Sequence, residues 1–352
     1  MVREQDSLMK VESTAPGKIF LSGEYFVLDG ALATIMSTKQ RVKVTIEDQT
    51  DVDNIFYCSI IDQCFPFNVH DNYQINWLDE NPGEFGLFLE LSIKKMKVKP
   101  NNTLFTIDTN DLYFQGTKIG LGSSAAISVA ILKAINNFYG LKLSEYDLIN
   151  NSMELHKLHQ GKNGSGLDII SSHADSNLIE CNKHMLSEQK WNALDWPKNL
   201  MIKGVLTSQQ SSTSSMIEKY NIAKHNNSRN FKSLYSQMTK ILEEFSEAWH
   251  QGNTSDILNL LKKQNTLIKQ LDHDFDLGIY TQEHNKILDL AESIDLFYKP
   301  SGAGGGDLGV IISDDVLKMK KFGNELSNTN HYIIDLRNLI FLHSSLKVFN
   351  FF

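Results

Sequence analysis

The sequence predicts a mixed α and β protein organised as about two domains. Three observations carry that expectation. Short β-branched runs fill the first fifty residues, the texture changes after Ser208 to long amphipathic stripes, and apolar runs return behind a glycine cluster near residue 300. With 352 residues, 41% of them hydrophobic, the chain has ample material for a core.

Taken in order, Ile19-Phe20-Leu21 and the alternating Val42, Val44 and Ile46 read as strands, as does Leu104-Phe105-Thr106-Ile107-Asp108. Residues 51–100 alternate Asn, Asp and aromatic side chains and give no assignable pattern. A polar loop then leads to Gly120-Leu121-Gly122-Ser123-Ser124-Ala125-Ala126, where a helix starts. That helix runs to about Tyr139 with Gly140 as its C′ residue; Ile127, Val129, Ile131, Leu132, Ile135 and Phe138 make it apolar on most sides, so it is expected to be buried. Ser144-x-x-Asp147 reads as a capping box that opens a helix to about Gln160. Phe231, Leu234, Tyr235, Met238, Ile241, Leu242, Phe245 and Trp249 keep helical spacing, and Leu258, Leu261, Ile268 and Leu271 continue it as a core stripe. Strands are expected at Leu308 to Ile312, Tyr332 to Ile334 and Leu346 to Val348. The change of texture places a domain boundary near residue 205, giving domains 1–205 and 206–352.

Composition excludes several classes. A net charge of −8 repels a polyphosphate backbone, so nucleic acid is not an expected partner. The longest nearly apolar run, Ala125 to Leu132, is far short of the ~20 residues that span a bilayer, and the first residues lack a signal-peptide core, which points to the cytosol and away from membranes. Cys58, Cys64 and Cys181 offer neither an even framework nor metal spacing. His156, His159 and His173 lack acidic or thiol partners at ligand spacing, so zinc is not expected.

Three glycine-rich segments invite phosphate chemistry, and the common nucleotide motifs fail on each. Both Gly-Lys pairs are followed by the wrong residue for a P-loop, Ile19 and Asn163. Gly120-x-Gly122-x-x-Ala125 imitates a dinucleotide fingerprint but follows a loop, and Glu145, about twenty residues on, lies at a helix start. Gly304-x-Gly306-x-x-Gly309 imitates a protein-kinase loop without His-Arg-Asp or Asp-Phe-Gly. What Gly120 to Ala126 does offer is a small-residue loop running into a buried helix, whose free N–H groups and dipole suit an anion, with two serine hydroxyls and Lys118 beside it.

Together, Ala15-Pro16-Gly17-Lys18-Ile19-Phe20-Leu21-Ser22-Gly23-Glu24-Tyr25, the Gly120 to Ala126 segment and Lys299-Pro300-Ser301-Gly302-Ala303-Gly304-Gly305-Gly306-Asp307 resemble the GHMP small-molecule kinases in order and spacing over nearly the whole chain. Within that family, Tyr25 after Gly23-Glu24, Lys118, Gln160-Gly161-Lys162-x-Gly164-Ser165-Gly166-x-Asp168 and Ser211-Ser212-Thr213 are similar to the phosphomevalonate kinase branch. The resemblance implies two α+β domains, the N-terminal one ribosomal protein S5 domain 2-like and the C-terminal one ferredoxin-like, with the active site in the cleft between them. It also implies transfer of a phosphoryl group from ATP, with Mg²⁺, to a small acceptor, 5-phosphomevalonate. Other readings within reach of the residues are mevalonate or a sugar as acceptor, an ATP-dependent decarboxylase and a non-catalytic sensor.

The same resemblance assigns roles. Asp168 orients or deprotonates the acceptor and Lys18 is the cation beside it. Gly120, Leu121, Gly122, Ser123, Ser124, Ala125 and Ala126 wrap the ATP phosphates together with Gly304 and Gly305, and Ser123 or Ser124 holds Mg²⁺. Glu24, Tyr25, Lys118, Lys162, Ser165, Ser211, Ser212, Thr213, Ser301, Gly302 and Ala303 fall on the acceptor side. One departure stands out: the metal-binding Glu that mevalonate kinases carry eleven residues before the catalytic Asp is Lys157 here, with His156 beside it, and Glu154 is the nearest carboxylate. Apolar stripes serve cores and dimer interfaces alike, which leaves a homodimer open.

Overall fold

The computed structural model describes residues 8–50, 53–161, 165–175, 178–188, 190–209, 211 and 213–337. The strand expected at Leu346 to Val348, and both Lys162 and Ser212, lie outside the described residues. Two sheets organise the rest.

The first sheet is built around a long strand, β2 (Ala33–Asp48), whose partners are β1 (Lys10–Ser22) along its length, then β6 (Thr103–Asp108) on one half and β9 (Leu178–Cys181) on the other. Beyond β6 come β3 (Asn54–Cys58), β4 (Gln63–Val69) and β5 (Ile75–Trp77), with β3 parallel to β6; β10 (Asn192–Ala193) closes the other edge. The segment without a legible pattern thus holds three strands and a helix, α1 (Glu84–Met96). A small hairpin, β7 (Tyr113–Phe114) with β8 (Thr117–Lys118), precedes the glycine loop.

The second sheet takes β11 (Met201–Leu206), β12 (Phe297–Pro300), β13 (Leu308–Ser313) and β14 (Tyr332–Asp335), all antiparallel, in the order β12-β13-β11-β14. β13 is buried along its whole length. Val310 and Ile312 face the core shared with the first sheet, Ile311 the core under the last helices, which is why its sequence is a continuous apolar run.

Helices α2 (Ser123–Phe138), α3 (Glu145–Gln160) and α4 (Leu167–Ala174) cover the first sheet, α2 lying on β1 and β2. The Ser144 hydroxyl accepts the Asp147 N–H at 3.1 Å and caps α3. A short helix, α5 (Lys183–Ser187), follows β9. Past the boundary region come α6 (Thr213–Asn226), α7 (Ser228–His250), α8 (Thr254–Phe275), α9 (Gln282–Ser293) and α10 (Val316–Leu326). Phe231, Leu234, Met238 and Leu242 of α7 pack with Leu267 and Leu271 of α8 and with Tyr25 and Phe26. The first motif is therefore anchored to helices more than two hundred residues away in sequence. Cys58, Cys64 and Cys181 are unpaired, and none of the described helices is long and apolar enough to cross a membrane.

Candidate active site

The three glycine motifs meet at one side chain, Lys18. Lys18 sits where β1 slips register against β2, a bulge that re-aims side chains, and its backbone N–H donates to the Leu121 carbonyl at 2.8 Å. Its methylene stem lies against Gly122, where a Cβ would come 2.8 Å from Cε, and its Nζ is 3.6 Å from the place of a Cβ on Gly302. Gly120 in turn faces Asp307, whose Cβ leaves only 2.6 Å for one on the glycine. Gly120 and Gly122 are required by close approach as well as by their left-handed φ, whereas the distance at Gly302 is an ordinary contact. Burial pushes the Lys18 ammonium pKa down, and the carboxylates of Asp168, Glu24 and Asp307 oppose that shift.

Asp168 stands in the first turn of α4, after Gly166 in the left-handed conformation. Its Oδ1 accepts the Ile169 N–H at 3.0 Å, which leaves Oδ2 for other partners on a partly exposed side chain. Oδ2 lies 3.7 Å from His156 Nε2, and the same nitrogen is 3.1 Å from Ser124 Oγ. His156 is buried, whereas Lys157 is exposed; Glu154 is exposed too and pairs with Lys95 on the outer face. The imidazole therefore occupies the place on α3 that faces Asp168. Sequence reasoning weighed His156 only as a zinc ligand, since a histidine on a helix carries no local signal for a partner on the next helix.

The start of α2 has Gly122 as its N-cap, with no side-chain hydrogen bond to the first turn. Its N–H groups and dipole are thus available to an anion. Leu121, Ala125 and Ala126 are buried, so what they offer a ligand comes from the backbone. Ser123 is buried and Ser124 partly exposed. Ser124 Oγ and the Asp168 carboxylate approach the same His156 nitrogen from two helices and are hard oxygen donors of the kind Mg²⁺ takes beside phosphate and water.

The third motif is held differently, through its carbonyls. Tyr25 Oη donates to the Ala303 carbonyl, Ser211 Oγ to that of Gly304 at 2.6 Å, and the Thr207 N–H to that of Asp307 at 2.9 Å. Tyr25 itself adopts φ 62°, a strained value for a bulky residue. Glu24 and Lys299, both buried, form an ion pair that ties the first motif to β12. Hence Glu24, Tyr25 and Ser211 all spend polar atoms on bracing this loop. Burial raises the Asp307 pKa, while the Ser211 N–H and the ammonium groups of Lys118 and Lys18 oppose the rise. Asp307, Lys299 and His156 are the functional candidates that motif reading did not single out.

Around this centre, Lys118 on β8 is half-buried, and Ser301 Oγ lies at 3.5 Å from the Phe20 carbonyl. Thr213 opens α6 and is exposed. Ser165 borders a cavity of about 190 Å³ between the turn after Tyr25, the start of α4 and α6, with Lys183 and Asn221 as its polar lining.

Comparison with known proteins follows the same lines. Residues 106–174, from β6 through α4, match the GHMP kinases N terminal domain. The phosphomevalonate kinase of Streptomyces sp. strain CL190 is 25% identical over 338 residues, which covers 85% of this chain and 89% of that protein. The crystal structure of Methanococcus jannaschii mevalonate kinase superposes with a TM-score of 0.73 at 22% identity, over 95% of this chain and all of that one. Streptococcus pneumoniae phosphomevalonate kinase, solved with phosphomevalonate and AMPPNP, gives 0.71 at 20% identity, over 92% of this chain and 100% of that one. That domain is thus matched across the phosphate-type loop, α2, α3 and α4, and the chain shares the fold of these kinases over nearly its whole length.

Proposed function

We propose that this chain is an ATP- and Mg²⁺-dependent kinase that phosphorylates 5-phosphomevalonate to 5-diphosphomevalonate, a cytosolic step of isoprenoid precursor synthesis. The observation that carries the reading is the meeting of three distant motifs at Lys18, beside Asp168 and an uncapped helix start. The likeness to the Streptomyces phosphomevalonate kinase supports the acceptor.

Phosphoryl transfer asks a protein mainly for positioning and charge neutralisation. In this reading the backbone of Gly120 to Ala126 and the start of α2 bind the nucleotide phosphates, with Gly304 and Gly305 closing on them. Mg²⁺, when bound, neutralises phosphate charge, and Ser124 with Ser123 supplies protein oxygens for it. Asp168 orients the acceptor hydroxyl and takes its proton; Lys18 balances the charge that collects between them. Lys118 attracts the acceptor's own phosphate, and Ser165, Ser211, Thr213, Ser301, Gly302 and Ala303 fall on its side of the cleft with Glu24 and Tyr25; Lys162 and Ser212 are assigned to that side from the sequence motifs alone. The cavity bordered by Ser165 and Lys183 has room and charge for the distal end of such an acceptor. The cleft lies between domains 1–205 and 206–352.

The test is ADP release with Mg²⁺ against mevalonate, 5-phosphomevalonate, mevalonate diphosphate, homoserine and galactose. Turnover with 5-phosphomevalonate is expected, and Asp168→Asn should lower kcat by roughly 10²- to 10⁴-fold. A drop of less than about threefold removes Asp168 as the base. Mevalonate is the second reading, favoured by the 0.73 superposition on a mevalonate kinase; turnover with mevalonate instead of its phosphate would establish it.

A further inference from the structure

The glycine loop has a support that lies wholly behind it, away from the cleft. His284 on α9 has no exposed surface; its Nε2 lies 3.2 Å from the Gly306 carbonyl oxygen and its Nδ1 2.7 Å from Tyr298 Oη. A carbonyl oxygen only accepts, so Nε2 carries the proton and donates. A neutral ring then leaves Nδ1 as an acceptor, and the Tyr298 hydroxyl donates to it. Burial pushes the His284 pKa down to about 4, which keeps the ring neutral and this single tautomer in place near neutrality.

The hydrogen bond from His284 bears on one peptide group. The Gly306 carbonyl is held by His284 while the N–H of the same peptide, that of Asp307, donates to the Gln209 carbonyl at 2.6 Å. Clamped at both ends, the peptide fixes the residue that follows. Asp307 is held at φ 58°, in the left-handed region that aspartate tolerates better than most residues, so the clamped peptide before it decides where its side chain points. Its carboxylate is then aimed at Gly120, Lys18 and Lys118. Tyr298 is likewise fixed, since Gly309 on the paired strand leaves room for its hydroxyl where a Cβ would collide with it.

We propose that the Tyr298–His284 pair is a positioning device for phosphoryl transfer: it sets the Gly306–Asp307 peptide and through it the alignment of the glycine loop and Asp307 with Lys18. The kinetic part of this proposal rests on the kinase reading; the structural part does not. His284 touches no reacting atom and acts through the loop.

Three variants test it: His284→Gln, whose amide can still donate to Gly306; His284→Leu, which cannot; and Tyr298→Phe, which removes the hydroxyl alone. Hydrogen exchange of the Gly305 and Asp307 amides is read first, because it needs no substrate. His284→Leu is expected to speed their exchange by at least about tenfold, with His284→Gln restored to within about threefold of the parent and Tyr298→Phe between them. In turnover, kcat is expected to fall about 10- to 100-fold in His284→Leu, with the directly measured Kd for nucleotide changed less than about threefold, and to recover in His284→Gln. Unchanged loop exchange in both His284→Leu and Tyr298→Phe overturns the proposal. So does a kcat loss that His284→Gln shares in full, which would make the effect one of packing. A parent protein without turnover on any acceptor would instead sink the kinase reading, and the exchange result would still decide this one.

Discussion

The two glycine loops that flank Lys18 are both rich in small residues, yet they are fixed by opposite means. The loop from Gly120 to Ala126 runs into a helix whose Ala125, Ala126, Val129, Ile131, Leu132 and Ile135 are fully buried, and its N-cap receives no side-chain hydrogen bond. Packing holds it and leaves its polar groups to a ligand. The loop from Gly302 to Asp307 has little apolar anchorage of its own; Tyr25, Ser211, His284 and Thr207 instead take up its carbonyls one by one. Packing energy grows with buried area and is indifferent to direction, whereas a hydrogen bond is weak in net terms and strict in geometry. The first loop is thus expected to break with the fold, and the second to lose its alignment while the fold survives.

The largest effect is expected from the first loop's support. Leu132→Ala removes a fully buried side chain from α2 and should destabilise the protein by about 2–5 kcal/mol, read as a lower urea midpoint at unchanged m. Nucleotide affinity of the protein that remains folded should change less than about threefold, since the helix start is untouched. An affinity collapse without a stability loss would mean that packing does not set this loop.

Acid separates the two loops next. His284 is held near 4 and has an ordinary value of 6.5, so between these values the unfolded chain takes up a proton that the folded chain refuses. Stability is complete above about pH 6.5 and falls as pH drops, by up to about 1.4 kcal/mol per pH unit for each such group. His173, lowered to about 4 mainly by burial and then by Lys133, adds the same sign from beneath α2. Urea melts at pH 7 and pH 5 on the parent and on His284→Gln should differ in slope by about one group's worth. Equal slopes would show that His284 is not held neutral.

Where the loops touch, Gly120→Ala should cost about 1–2 kcal/mol for the left-handed φ of 75°, and its Cβ would press on Asp307. Nucleotide and acceptor KM should then rise together, because the collision spans both loops. A rise in one alone would mean that the loops work independently.

Much of this arrangement was legible before any coordinates. The buried helix after Gly122, the Ser144 cap and the stripes of α7 and α8 follow from periodicity and local hydrogen bonding, which act over a few residues. The strands of residues 54–77 were not legible. Their burial alternates, but residue type does not follow it: polar Asn54 is buried, whereas Ile55, Tyr57 and Pro66 face partly outward. The site's long-range pairings were invisible for a different reason. Glu24 meets Lys299 across 275 positions, Ser211 meets Gly304 across 93, and His156 faces Asp168 only because two helices cross. The first two pairs share no window of sequence, and the third is spaced like any two polar residues of neighbouring helices, so none stands out until the fold brings the partners together.

The smallest effect tests the second loop's rule most directly. Ser211→Ala deletes one hydroxyl that donates to the Gly304 carbonyl at 2.6 Å and leaves the backbone N–H that donates to Asp307. A single hydrogen bond of this kind contributes about 0.5–1.5 kcal/mol, so the melting temperature should move by no more than about 4 °C. Gly304 stays confined by Ile279, whose backbone oxygen leaves only 2.9 Å for a Cβ, and Gly305 donates to that oxygen. The freed carbonyl therefore has little room to turn, and kcat should fall only about two- to fivefold. Ser211→Thr keeps the hydroxyl and should sit at the parent value if its added methyl clears Met216. A loss in Ser211→Ala as large as that in His284→Leu would mean that each carbonyl is held alone, and that the loop has no shared rigidity for the remaining contacts to preserve.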